Sequence, residues 1–119
     1  MKGKREKRDI KLYILDMLEA IDEVNKFVDG IPNAEALVNN KEKYKAVLMN
    51  FIILGEASRN IFEEVRINHP EVEWKDVMNM RNKLVHEYFG VDNAVVWDAI
   101  KKDLPQLKKI ITKIKNSLN

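Results

Sequence analysis

The sequence contains no cysteine, which excludes disulfide bonds and metal sites built on thiolates. It also lacks a glycine-rich phosphate loop, a nucleophile motif around a serine, and histidines clustered with acids at metal-ligand spacing. Only two histidines, His69 and His86, are present, so few side chains can exchange a proton near neutral pH. We therefore expect a protein without a cofactor and without a metal site.

Long apolar segments are also missing. No apolar run approaches the length that spans a bilayer, and no apolar segment follows the charged N-terminus as in a signal peptide. With 45% hydrophobic and 34% charged residues, the composition is typical of a soluble protein rich in long helices. We expect a cytoplasmic protein with no membrane partner, folded as one domain over residues 1–119.

Charge is distributed unevenly along the chain, although the formal net charge is only +2. The segment KGKREKRDIK near the N-terminus holds six basic and two acidic residues, and KKDLPQLKKIITKIK near the C-terminus holds six lysines and one aspartate. Basic ends can attract nucleic acid or an acidic partner. They are equally typical of helix faces in contact with water, and both interpretations remain open on charge alone.

Apolar periodicity predicts two long helices in the first half. Apolar residues recur at alternating spacings of four and three over residues 10–28, which indicates one amphipathic helix from about Asp9 that ends at Gly30 and Pro32. The second helix should be under way by Lys41, and its centre is apolar on nearly every side. Such a helix is covered all round, and in a chain this short we expect a second subunit to supply part of the cover.

Two further helices are predicted in the second half. Residues 74–90 form the third, and the fourth follows Asp92 or Asn93 and carries an apolar stripe over residues 97–118. Pro105 should kink or divide this last helix. Four main helices with short connections predict an all-α, antiparallel bundle.

The third helix carries the stretch RNKLVHEYFG, which places a charge within an apolar sector. On a wheel of 100° per residue, Arg81 lies within about 60° of Tyr88 and three apolar side chains, while Asn82 and His86 lie at about 100° and 140°. Burying an unpaired charge costs several kcal/mol or more. Arg81 therefore needs a partner, either an acid such as Glu56 or an anionic ligand.

This combination of side chains suits RNA cleavage without a metal. The reaction needs a base for the 2′-hydroxyl proton or an acid for the leaving oxygen, and His86 can be either near neutral pH. The guanidinium of Arg81 matches the oxygens of the phosphate in the transition state. Asn82 could orient the histidine or hold a phosphate oxygen.

The stretch RNKLVHEY contains an arginine, a histidine after four intervening residues, and a tyrosine two residues further on. This pattern resembles the signature of HEPN-domain ribonucleases of the HepT-like toxin family. LGEASRNI, HPEVEWKDVMNMRNKLVHEYFGVD and VWDAIKKDLPQLKKII resemble that family in the same order. The resemblance implies an all-helical homodimer whose two Arg–His pairs face a shared cleft. It also implies a metal-independent endoribonuclease that acts as a toxin, silenced by a minimal nucleotidyltransferase antitoxin that transfers AMP onto the motif tyrosine.

Transferred onto this chain, the resemblance makes Arg81 the phosphate-binding residue, His86 the acid or base, and Tyr88 the AMP acceptor. Asn82 takes a supporting role. Glu56 does so as well if it pairs with Arg81 or lines the cleft, but it could also be purely structural.

One residue departs from the family pattern. Glu87 stands where glycine is frequent in relatives, and its carboxylate would repel RNA phosphate. An alternative function is therefore a non-catalytic helical dimer that binds or scaffolds a nucleotidyltransferase or nucleotides. The intact Arg81–His86 pair favours the enzyme, and Glu87 favours the binding module. We interpret His69 as a turn residue, and Trp74 and Trp97 as packing anchors.

Overall fold

The computed structural model describes residues 2–61, 63–87 and 90–118, with side chains described from Asp9 onward. Within those ranges the chain is helical and contains no strand, which confirms the predicted all-helical class. The helices are α1 (Lys2–Val28), α2 (Ala34–Asn39), α3 (Lys41–Asn60), α4 (Glu63–Asn68), α5 (Trp74–His86), α6 (Asn93–Asp98) and α7 (Leu104–Ser117), with a π-helical segment (Ala99–Asp103) between the last two. Within these ranges, no helix is apolar over a stretch long enough to cross a bilayer.

Helix α1 buries the apolar stripe that the sequence predicts. Ile14, Met17 and Ile21 are completely inaccessible to solvent, and burial of a side chain of this size contributes about 1.5–3 kcal/mol to folding. The helix begins at Lys2, earlier than the predicted start near Asp9. It ends as predicted, because Gly30 adopts a left-handed backbone conformation with φ of 79°.

Two asparagines start the next helices. The side-chain oxygen of Asn33 accepts a hydrogen bond of 2.9 Å from the backbone N–H of Ala36, which caps α2. Asn40 does the same for α3, with 3.2 Å to the N–H of Lys43. Each cap satisfies a backbone donor that has no partner within its helix, which stabilises a helix start by about 1 kcal/mol.

Helix α3 lies between α1 and α5 and packs against both. Val47, Leu48 and Leu54 are buried on its inner face. Met49 and Ile53 remain 55% and 41% exposed, so the helix is not covered on every side within this chain. That a second subunit covers them stays a prediction.

The interruption expected near Pro105 takes the form of the π-helical segment. Proline has no N–H and cannot bond the carbonyl four residues earlier. Just before Pro105, the helix widens to a π-helical turn, in which the N–H of Leu104 donates to the carbonyl of Ala99 five residues earlier. The helix then continues as α7, which packs on α1 and forms the exposed Lys108–Asp22 ion pair of 2.8 Å.

The turn between α4 and α5 is fixed by Trp74. Its indole N–H donates to the backbone oxygen of His69 at 2.9 Å, and the side chain is buried. The His69 imidazole lies 3.3 Å from the Glu71 carboxylate in the same turn. These contacts agree with the predicted roles of a packing anchor and a turn residue, and they define where α5 starts.

Candidate active site

Helices α3 and α5 lie in close contact at Gly55, which is buried. A Cβ placed on Gly55 would lie 2.9 Å from Cγ of Arg81 and 3.1 Å from the carbonyl oxygen of Val77, and closer still to Cβ of Arg81. Real Cβ atoms essentially never come within 3.0 Å of another heavy atom. The absence of a side chain at Gly55 therefore lets the stem of Arg81 lie directly on the backbone of α3.

Glu56, the next residue on α3, forms an ion pair with Arg81. Its Oε2 accepts from Nε of Arg81 at 3.0 Å and lies 2.8 Å from the terminal NH2 nitrogen. The Arg81 side chain is 17% exposed and that of Glu56 is 42% exposed, so the pair lies at the edge of the core and not within it. Charge-assisted bonds of this kind hold a guanidinium in one orientation. Of the alternatives that the sequence left open for Glu56, the pairing with Arg81 is present.

Asn82 also contacts the guanidinium. Its side-chain oxygen accepts a hydrogen bond of 2.9 Å from the NH1 nitrogen of Arg81. From the sequence, we considered that Asn82 orients the histidine or holds a phosphate oxygen; in the structure it orients the arginine. Two of the five N–H groups of Arg81 thus donate hydrogen bonds to protein oxygens, and the NH2 nitrogen is ion-paired with Glu56. Each terminal nitrogen keeps at least one N–H that can donate to another acceptor.

His86 is the last residue of α5 and is exposed. It lines a cleft of about 540 Å³ that also contains Arg81 and Asn82. The full lining comprises Gly55, Arg59, Lys75, Met78, Asn79, Arg81, Asn82 and His86. Two predicted catalytic residues and one supporting residue therefore share a cleft, and Glu56 contacts it through Arg81.

Three polar residues of the cleft were not singled out from the sequence. Arg59 comes from α3, and Lys75 and Asn79 come from α5. Lys75, Asn79, Asn82 and His86 recur at spacings of four, three and four, so they occupy one face of α5. This spacing is the sequence signal that could have identified Lys75 and Asn79 as site residues. Arg59 could be identified only once the packing of α3 against α5 was known.

Tyr88, the candidate AMP acceptor, lies outside the described residues. Glu87 directly after His86 is exposed, and its backbone N–H closes the last turn of α5 by bonding the carbonyl of Lys83 at 2.7 Å. Glu87 is not among the residues that line the cleft.

A second cavity, of about 390 Å³, contains none of the predicted site residues. Its floor includes Phe51, Leu54 and Leu107, and Glu71 lies at its edge. A hydrogen bond from the backbone N–H of Glu71 lowers the pKa of its carboxyl, with a further contribution from His69.

Among the residues that the structure describes, no three histidine or carboxylate side chains are placed to hold a metal ion.

Comparison with known proteins gives consistent matches. The model of the family "Ribonuclease HepT-like" matches residues 17–114. The chain is 41% identical over 103 residues to a Methanocaldococcus jannaschii protein named "Putative RNase MJ1380", a match that covers 87% of this chain and 94% of the relative. It is 39% identical over 109 residues to "Probable ribonuclease HepT" of Thermococcus cleftensis, covering 92% and 98%. No solved structure shows a significant match.

Proposed function

Because the chain belongs to the family of HepT-like ribonucleases, we propose that it is an endoribonuclease that cleaves RNA without a metal ion, with Arg81 and His86 as catalytic residues. The observation that carries this proposal is the cleft itself. Arg81 and His86 line it together, and the guanidinium is held in place by Glu56 and Asn82 while two of its N–H groups can still donate. A fixed cation that shares a cleft with an imidazole supplies the phosphate binding and the proton transfer by which RNA can be cleaved.

In the proposed reaction, the 2′-hydroxyl of the RNA attacks the adjacent phosphorus. The P–O5′ bond breaks, which leaves a 2′,3′-cyclic phosphate on one product and a 5′-hydroxyl on the other. His86 either accepts the proton of the 2′-hydroxyl or donates a proton to the departing O5′. Arg81 donates to the non-bridging oxygens, where negative charge grows in the transition state. Because Glu56 and Asn82 already fix the guanidinium, it needs no reorientation during the reaction.

The proposal includes a homodimer in which two such clefts face each other. Three large apolar side chains are exposed on the helices that build the site, namely Met49, Ile53 and Val85. Val85 lies one turn after Arg81 on α5, and Ile53 lies three residues before Glu56 on α3, so both are close to the site along their helices. Burial of these side chains against a second copy would stabilise a small domain.

We also propose that the protein acts as a toxin that a minimal nucleotidyltransferase silences. The hydroxyl of Tyr88 would attack the α-phosphorus of ATP, so that AMP becomes attached to the tyrosine and pyrophosphate departs. Tyr88 follows His86 by two residues, and His86 lines the cleft, which supports this step.

A non-catalytic binding module is the second candidate, and one observation favours it. The exposed carboxylate of Glu87 adjoins His86 and would weaken binding of an RNA phosphate at that end of the cleft. Such a module would bind nucleotides or a nucleotidyltransferase through the same surface without cleaving RNA.

Cleavage of RNA in the presence of EDTA separates the two functions. The wild-type protein should cleave, whereas Arg81→Ala and His86→Ala should each be slower by roughly 10²–10⁴-fold with unchanged helical circular dichroism. Lys83→Ala is the matched control, since Lys83 is exposed on α5 and does not line the cleft. Equal cleavage by all four proteins would remove Arg81 and His86 from the mechanism, and no cleavage by any would favour the module.

A further inference from the structure

The cleft extends well beyond the two proposed catalytic residues. Lys75, Asn79, Asn82 and His86 form one continuous polar face of α5, and all four line the cleft. The eleven-residue separation between Lys75 and His86 corresponds to roughly 16 Å along a helix. Stacked nucleotides advance by about 3.4 Å each along a strand. The polar face of α5 is therefore longer than the binding site for a single phosphate needs to be.

Two further basic side chains line the cleft. Lys75 is exposed in the first turn of α5, and Arg59 of α3 lines the same cleft with its side chain 60% exposed. A lysine in the first turn is disfavoured by the helix dipole, so Lys75 does not stabilise its own helix. The lysine and the positive end of the dipole together favour an anion there.

Nearby acids offset this charge only in part. Arg59 forms an ion pair with Glu56, with 3.7 Å between NH1 and Oε1, which is too long for a hydrogen bond. The other oxygen of Glu56 is bonded to Arg81, so one carboxylate serves two guanidinium groups. Asp76 lies beside Lys75 in sequence but lines the second cavity, not this cleft.

We propose that Lys75 and Arg59 form a second phosphate subsite, which binds the backbone of single-stranded RNA next to the phosphate held by Arg81. The proposal rests on the ribonuclease function proposed above and adds where the rest of the substrate lies. RNA runs along the polar face of α5, from His86 towards Lys75. Asn79, between the two ends, can donate to or accept from the sugar or a phosphate oxygen. The substrate class is therefore single-stranded RNA with at least two phosphates in the cleft.

The subsite makes a quantitative prediction for the dependence of binding on salt. Each phosphate neutralised on a single strand contributes about 0.7 to the slope of log K against log salt, because bound counterions are released. Loss of one contact should therefore lower that slope by up to about 0.7, which amounts to a roughly fivefold difference over a tenfold change in salt. A lysine elsewhere on the surface should not change the slope.

The probe is a short single-stranded RNA with 2′-O-methyl groups, which cannot be cleaved through its 2′-oxygen and can be used with the intact wild-type protein. Binding is measured by fluorescence anisotropy over a tenfold range of salt for wild type, Lys75→Ala and Arg59→Ala. Lys109→Ala is the matched control, because Lys109 is exposed on α7, lines no cavity described above and carries the same charge. Arg59→Lys keeps the charge and should restore the slope. Cleavage of ordinary RNA is measured in parallel.

A lower slope for Lys75→Ala and Arg59→Ala with an unchanged slope for Lys109→Ala supports the subsite. The same outcome with a wild-type protein that does not cleave RNA also supports the subsite, but it contradicts the ribonuclease function. Unchanged slopes in both cleft variants overturn the subsite, and if the wild type still cleaves RNA the proposed function stands. An equal change in all three alanine variants overturns it as well, because it would show a general effect of charge.

Discussion

The substitution Gly55→Ala tests how the site is built, because two opposite effects determine whether it raises or lowers the stability of the fold. In an exposed helix interior, alanine is more favourable than glycine by about 1 kcal/mol. At Gly55, however, the added methyl group would lie 2.9 Å from Cγ of Arg81, closer still to its Cβ, and 3.1 Å from the carbonyl oxygen of Val77. Ordinary contact begins at 3.4 Å. The backbones of α3 and α5 would have to separate by roughly 1 Å, since neither a Cβ atom nor a carbonyl can rotate away.

Overpacking of this kind typically costs about 1–3 kcal/mol, and occasionally more. Because the contact with Cβ of Arg81 is even shorter than 2.9 Å, we take the upper part of this range, about 2–3 kcal/mol. After subtraction of the gain in helix propensity of about 1 kcal/mol, we expect a net loss of about 1–2 kcal/mol. With an unfolding entropy of about 2.1 cal/mol/K per residue, a chain of this length loses roughly 4 °C in Tm per kcal/mol. Thermal unfolding followed by circular dichroism should therefore show a fall of roughly 4–8 °C for Gly55→Ala.

The rate of RNA cleavage should be more sensitive to Gly55→Ala than the Tm is. Displacement of Arg81 by 1 Å relative to His86 can reduce the rate by about 10²-fold. Gly90→Ala is the control, because the nearest atom to its added Cβ is 3.8 Å away, in ordinary contact. Its Tm should stay close to the wild-type value.

A double-substitution cycle locates the clash. In Arg81→Gly, both Arg81 atoms that crowd Gly55 are gone, and only the Val77 oxygen at 3.1 Å remains. Adding Gly55→Ala to that variant should leave its Tm unchanged or raise it. If Gly55→Ala alone raises the Tm of the wild type, helix propensity dominates and the reasoning about close approach is refuted.

Three further predictions concern the site and its assembly. Glu56→Gln should slow RNA cleavage by up to about 10²-fold, because Arg81 loses an ionic partner that fixes it. The same substitution should tighten RNA binding, because one negative charge is lost. Unchanged kcat and Kd would contradict this role of Glu56. Sedimentation should show a dimer at micromolar concentration that Ile53→Glu dissociates, and a monomeric wild type would contradict the assembly. With a minimal nucleotidyltransferase of the kind proposed above and ATP, the intact mass of the protein should rise in units of AMP and RNA cleavage should stop. Tyr88→Phe should gain no mass, and equal labelling of that variant would exclude Tyr88.

Local patterns made much of the helical structure predictable. The four-three spacing over residues 10–28 and the helix start after Asp92 depend on neighbours within a turn or two, and the structure contains both features. The start of α1 at Lys2 was missed because its first turns are charged and carry no apolar period, so the pattern contains no signal there. The π-helical segment before Pro105 was missed because proline predicts an interruption without specifying its geometry.

The candidate site was predictable only in part, for a different reason. A charge in the apolar sector of α5 had to find a partner, and this requirement pointed to Glu56 as a possible partner of Arg81. The contribution of Gly55 and Arg59 depends on how closely and at which angle α3 and α5 pack, which no single-helix pattern contains. The contact of Asn82 with the arginine, not the histidine, depends on side-chain rotamers for the same reason.

The most direct test of the central claim is mass spectrometry of the ends produced from one defined single-stranded RNA in EDTA. If His86 and Arg81 promote attack by the 2′-hydroxyl, the wild type should give 2′,3′-cyclic phosphate or its hydrolysis product together with 5′-hydroxyl ends. A substrate with a single 2′-deoxy nucleotide at the cleavage position should stay intact there. Products with 5′-phosphate and 3′-hydroxyl ends, or the same products at an equal rate from His86→Ala, would contradict the account.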